Sequence, residues 1–199
     1  MSIKKYLLVF FGTLVTAATV TFLVALASAR SQQKKAKQCL QEALVLPLGK
    51  ATFEDAEHWS TQFGGTTSNL VGNSCTPKFC DFLVTFQNTS LARFHLAPYT
   101  AMSVGLVVSE GLIVNRGVLF KSGELPLYSV TEGTRSAEAH DYDTTIFRNV
   151  ADKPEKILVR LTNGASQSDR FHAFAVPIEC FSELGACSAP LPGAPSSTN

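Results

Sequence analysis

The 199-residue chain has no surplus of charge, with 17 Lys and Arg against 16 Asp and Glu and a net charge of +1. This balance excludes the broad basic field on which nucleic-acid binding relies. It equally excludes the acidic excess of a disordered chain. Catalytic signatures are missing as well. No G-x-S-x-G elbow, no phosphate-binding G-x-x-x-x-G-K and no Rossmann glycine fingerprint occurs. No C-x-x-C redox motif occurs either. The four histidines, His58, His95, His140 and His172, make no H-x-x-x-H or H-E-x-x-H spacing. Each therefore reads as an ordinary surface or partly buried residue. No catalytic residue, cofactor or metal is assigned from sequence.

One local absence is more informative. Tyr6 to Ala29 contains no charged residue. A helix of that length spans about 36 Å, more than the ~30 Å hydrocarbon core of a bilayer. Lys4 and Lys5 precede the run, and Arg30, Lys34, Lys35 and Lys37 follow it. Residues 1–5 thus form a short basic N-terminus and residues 6–29 a transmembrane helix, with the bilayer as the first expected partner. A cleaved signal peptide ending at Ala27-Ser28-Ala29 is the rival reading, but its apolar region is ordinarily about 7–15 residues. A lipoprotein does not fit, because Cys39 lies beyond the apolar run. A type IV pilin helix carries a glutamate near its start, and none stands here. Small residues spaced by four, Gly12 with Thr16 and Thr13 with Ala17 and Thr21, allow a helix pair and hence a homodimer.

Beyond the run, residues 30–46 read as a juxtamembrane amphipathic helix, with Ala36, Cys39, Leu40, Ala43 and Leu46 on one face and Pro47 and Gly49 as its stop. The globular domain is expected over 47–188. Its first helix opens at Thr52, with Asp55 completing a capping box and Phe53, Ala56, Trp59 and Phe63 forming the apolar stripe. Residues 66–77 read as a polar loop. A strand is predicted over 81–87, with Phe82, Val84 and Phe86 on one face and Cys80 sharing it by parity. A hairpin follows, strands 103–109 and 112–121 about a Glu110-Gly111 turn, with Val104, Leu106 and Val108 inward on the first strand and Leu112, Val114, Val118 and Phe120 on one face of the second. A strand over 127–132 and another around Ile157, Val159 and Leu161 complete the sheet. Residues 133–148 read as a loop, in which Glu138, His140, Asp141 and Asp143 form a solvated acidic cluster. Ser166 and Asp169 open a last helix carrying Phe171, Phe174, Ile178 and Phe181, which Pro177 divides. Residues 189–199 read as a disordered tail. The fold class is α+β: an N-terminal transmembrane helix, then an antiparallel sheet of about 4–6 strands packed with 2–3 helices.

Four of the five cysteines pair by proximity, Cys75 with Cys80 in C-x4-C and Cys180 with Cys187 in C-x6-C. Two short disulfides suit an oxidising compartment, although cross-pairing and a four-cysteine zinc site are alternatives. Cys39 is left as a helix-face thiol. The basic cluster after the helix favours a cytoplasmic domain by the positive-inside rule. Large domains translocate with limited regard to charge, so the cysteines tip the balance outward. Asn88-Thr89-Ser90 matches a glycosylation acceptor.

The segment LARFHLAPYT, residues 91–100, stands between the C-x4-C pair with its aromatic strand and the C-x6-C pair. Together with LPLGKATFEDAEHWSTQFGG, residues 46–65, this order of features resembles a group of uncharacterised bacterial single-pass membrane-anchored proteins over residues 40–190. The resemblance implies the anchor and the paired cysteines and brings no activity with it. The Leu48-Gly49-Lys50-Ala51-Thr52 stretch also resembles small lipoproteins of outer-membrane assembly, from which the chain departs by lacking a lipid-accepting cysteine. The expected function is a non-enzymatic extracytoplasmic binding or assembly module, partnered by another membrane or envelope protein and not by nucleic acid. The alternatives are a membrane-bound hydrolase built from His95 or His140 with nearby carboxylates, and a cytoplasm-facing domain with free or zinc-bound thiols.

Overall fold

A computed structural model describes residues 3–68, 75–134, 142–149, 151–152, 154–162, 164–185, 187 and 191–192. The chain begins with a single helix, α1 (Ile3–Val45). Its outer part, through Val24, stands free of the rest, with large apolar side chains such as Val9, Phe10, Leu14, Val20 and Leu23 exposed. This helix is long and apolar enough to cross a membrane. Its threonines are not left as unsatisfied polar groups. Thr13, Thr16, Thr19 and Thr21 each donate their hydroxyl to a carbonyl three or four residues back, at 2.8–3.0 Å. The helix thereby keeps its own polar atoms paired, as a lipid surrounding requires.

α1 continues unbroken through the predicted amphipathic stretch, burying Ala36, Cys39, Leu40 and Ala43 in the core while Lys34, Lys35, Lys37, Gln38 and Gln41 stay exposed. Ala29, Ala36 and Ala43 recur every seven residues and are buried, as are Cys39 and Leu40. Small side chains on this stripe let the helix backbone lie close to the sheet. Ala36, Cys39, Leu40 and Ala43 thus share one core cluster with the strands that follow residue 47.

α2 (Phe53–Phe63) follows, with the predicted capping box between Thr52 and Asp55 and a left-handed Gly64 closing it. Trp59, the one tryptophan, is buried and donates its indole N–H to the Cys39 carbonyl at 3.2 Å, joining α2 to α1. The strands are β1 (Thr66–Ser68), β2 (Phe79–Gln87), β3 (Thr100–Ser109), β4 (Leu112–Ser122), β5 (Leu127–Gly133), β6 (Tyr142–Arg148) and β7 (Pro154–Thr162). A short helix, α3 (Thr89–Arg93), links β2 to β3. After β7 come α4 (Gln167–Ala173), capped by Ser166, and a 3-10 turn (Ile178–Phe181) separated from it at Pro177.

The seven strands form one sheet in the order β1-β2-β3-β4-β5-β7-β6. The α+β class holds, while the sheet is larger than expected and mixed, because β5 pairs with β7 in parallel. β1 and β6 lie where loops were expected. The predicted hairpin is present, but its register shifts between Val107 and Val108. That bulge reverses the parity at the start of β4. Ile113 is buried there, Val114 is half-buried and Leu112 is partly exposed, contrary to the one face expected for Leu112, Val114, Val118 and Phe120. Phe171 is likewise exposed, 74%, where an apolar stripe was expected, while Phe174, Ile178 and Phe181 are buried. Leu191, inside the segment read as a disordered tail, packs into the core. The helices cover one face of the sheet. The other face stays uncovered among the described residues, with Leu83 and Leu119 exposed on either side of the paired Gly105 and Gly117.

Candidate functional site

Direction along the domain organises everything else. The C-terminal end of α1 meets the β3–β4 turn, where the Gly49 N–H donates to the Ile113 carbonyl at 2.8 Å. The opposite end is where the apolar run emerges. There Ala25 and Ala29 pack against Leu91, Ala97 and Leu96. The Ser182 hydroxyl donates to Gln33 at the same end, at 2.7 Å.

The cysteines fall at the two ends. Cys75 and Cys80 lie with Cα atoms 4.9 Å apart, and Cys180 and Cys187 with Cα atoms 5.3 Å apart, both within disulfide reach. Cys80 pairs with Val108 near one end of β3, whereas the Cys180 carbonyl lies 3.3 Å from the Thr100 hydroxyl at the other. The length of β3 between them is about 26 Å at ~3.3 Å per residue. A zinc ion cannot draw ligands from both pairs, and cross-pairing fails for the same reason. Cys180, Glu183 and Cys187 do cluster, but the disulfide engages both sulfurs. Cys39 is fully buried, and burial, with Glu42 adding to it, pushes its thiol up to about 12. It is an inert core thiol.

At the end where the apolar run emerges, a cavity of about 750 Å³ opens. Leu96, Ala97 and Pro98 form one wall, Leu125 and Pro126 from the β4–β5 turn another, and Pro154 a third. A polar cluster holds these walls together. Asn88 donates its amide to the Pro98 carbonyl at 3.0 Å and accepts from the Thr100 N–H at 2.7 Å. The Thr100 and Ser122 hydroxyls share a 2.7 Å bond. The Gly123 N–H donates to the Tyr99 carbonyl and the Gly185 N–H to the Leu96 carbonyl, each at 3.0 Å. Lys121 donates to the Leu125 carbonyl across the turn. At Gly123 any Cβ would lie 2.8 Å from Pro98, so the close approach of turn and wall requires glycine. Asn88 is buried and doubly bonded, which withdraws it from glycosylation.

His95 and Glu124 stand at the cavity, and both are exposed. His58 lies exposed on α2, and His172 lies exposed on α4 against Phe171. His58, His95 and His172 thus lie on separate elements. His140 and the loop carboxylates Glu138 and Asp141 lie outside the described residues.

A buried charge cluster, absent from the candidate residues read from sequence, lies between the sheet and the helices. Glu132 is buried and accepts from Arg116 Nε and Nη2 at 2.9 and 2.7 Å, and from Arg170 Nε at 2.7 Å. Arg116 also donates Nη1 to the carbonyls of Ala43, Leu44 and Leu46 at 2.8–3.2 Å. A cation there satisfies the orphan carbonyls at the C-terminal end of α1 and complements its dipole. The triad ties α1, the sheet and α4 together.

Comparison with protein-family profiles, with curated proteins and with solved structures finds nothing that matches this chain.

Proposed function

We propose that the protein is a membrane-anchored, extracytoplasmic, non-enzymatic binding or assembly module. The observation that carries this reading is the unbroken α1, whose outer half is apolar and exposed and whose inner half is core. A helix built in this way fixes the height and tilt of its domain above the bilayer, whereas a flexible linker would leave both free. The two cysteine pairs at disulfide distance support the oxidising side of the membrane. The anchor keeps the end of the domain that holds the cavity next to the lipid surface. Carbonate washing of membranes and a non-reducing mass map test the proposal together. Full-length protein retained in the membrane, with Cys75, Cys80, Cys180 and Cys187 resistant to alkylation, is the expected result. Release of the intact chain, or four free thiols, overturns it.

One observation favours a hydrolase as the second reading: His95 and Glu124 line the same cavity. Turnover of acyl esters by the reconstituted protein, lost in both His95→Ala and Glu124→Gln, would establish that reading in place of the first.

A further inference from the structure

We infer that the cavity beneath the His95–Pro98 segment takes the acyl chain of a bilayer lipid. The inference rests on the anchored reading above and extends it to a ligand. Three independent features converge on it. The first is shape and lining. At about 750 Å³ the cavity falls within the ~300–1,000 Å³ usual for ligand sites, and Leu96, Ala97, Pro98, Leu125, Pro126 and Pro154 give it mainly apolar walls, with His95, Ser122 and Glu124 as its few polar groups.

The second feature is position. Leu96 and Ala97 belong both to the cavity wall and to the small cluster that packs on Ala25 and Ala29, the last buried positions of the uncharged run. With that run in the hydrocarbon, the cavity lies at the level of the headgroups, within reach of an acyl chain. The third is exposed apolar surface next to the walls along the chain. Phe94 (49% exposed), Tyr99 (45%) and Leu184 (49%) directly adjoin the lining residues His95, Pro98 and Gly185 in sequence. Aromatic side chains at the boundary between lipid and water stabilise insertion there. The exposed Arg30 and Arg93 stand beside these elements, where lipid phosphates would meet them.

The test uses the full-length protein in phosphatidylcholine vesicles. One set of vesicles carries a phospholipid with a photoactivatable diazirine in its acyl chain, and a second carries a diazirine free fatty acid. After irradiation, peptide mapping locates the labels. Phospholipid labels on residues 94–98 and 122–126, in addition to those on 6–24, are the expected result. Leu125→Trp fills the cavity and should lower labelling of 94–98 at least fivefold while leaving 6–24 unchanged. Leu119→Trp, on the uncovered sheet face, should change neither. Should Leu125→Trp not fold, the map of the unsubstituted protein decides alone. Phospholipid labels confined to 6–24 in vesicle-retained protein overturn the inference and leave the anchor standing. Labelling of the cavity by free fatty acid alone overturns a bilayer source. Protein that washes out of the vesicles fails the anchored reading itself.

Discussion

Arg116 and Glu132 face each other across β4 and β5 as register partners, and both are buried. The pair is worth little as an isolated attraction, because two charges must first be removed from water. Its value lies in what it completes. Arg116 reaches past Glu132 to three carbonyls at the end of α1, and Glu132 holds Arg170 of α4 with its second oxygen. Removing Glu132 leaves a buried cation facing only carbonyl dipoles. Glu132→Ala is therefore expected to cost about 3–5 kcal/mol of unfolding free energy. Denaturant titration of detergent-solubilised protein measures this. A loss below about 1 kcal/mol would show that the triad is not buried in solution.

The inner half of α1 is core, so where the chain is cut decides whether the domain folds. A chain starting at Ser31 keeps Ala36, Cys39, Leu40 and Ala43 and should give a cooperative melt. A chain starting at Pro47 loses that stripe, the partner of the Trp59 indole and the carbonyls that Arg116 caps. It is expected to remain unfolded by circular dichroism and amide dispersion. A folded chain from Pro47 would mean that α1 merely rests on the sheet.

Much of this architecture is legible in the sequence, and the exceptions have physical reasons. Period-two alternation identifies β2 and the β3–β4 hairpin because one face of each is buried throughout. β6 does alternate in the structure, with Asp143, Thr145 and Phe147 exposed and Thr144 and Ile146 half-buried, but its residue types hide the pattern: a threonine takes an inner position and a phenylalanine an outer one on this edge strand. The parallel pairing of β5 with β7 depends on β7 inserting between β5 and β6, which no local pattern encodes. The bulge at Val107 and Val108 hides the true parity of β4. The triad was within reach of a sequence reading: Arg116 shares parity with Val118 and Phe120, and Glu132 with Tyr128 and Val130. Opposite charges at inward positions of neighbouring strands signal a buried pair. The cavity was not within reach, because its walls come from four separate segments of the chain.

The cysteine pairs give a prediction about stability. Each loop is short, with sequence separations of 5 and 7. The chain-entropy account gives about 2–2.5 kcal/mol for closing loops of this size. Cys180→Ser with Cys187→Ser should lower stability by that amount and free the segment after the 3-10 turn for proteolysis. Equal thermal midpoints with and without reductant would mean that neither bond constrains the unfolded chain.

Asp81 supplies a pH dependence of known sign. Burial raises its carboxyl above the ordinary 3.8. The folded chain then holds this proton more tightly than the unfolded chain does. Its contribution to stability is accordingly most favourable below 3.8 and is lost as pH rises through the raised folded value. Asp81→Asn should match the parent protein at the acid end and exceed it progressively at higher pH. Thermal melts of both proteins across the carboxylate range test the divergence. A constant offset would assign the effect to packing.

His95 separates backbone need from side-chain role. It adopts φ 55, the left-handed conformation in which a helix end ordinarily places glycine. Its N–H donates to the Ala92 carbonyl and the Leu96 N–H donates to the Leu91 carbonyl, both at 3.1 Å, which closes α3 in a Schellman arrangement. A histidine there works against local preference, at a cost of order 1 kcal/mol. His95→Gly should leave the fold intact and raise stability by up to about 1 kcal/mol. The same change removes the imidazole from the cavity mouth. Weaker lipid labelling of 94–98 in that variant would assign the ring to the ligand. Unchanged labelling with the expected gain in stability would leave His95 as the terminus of α3 alone.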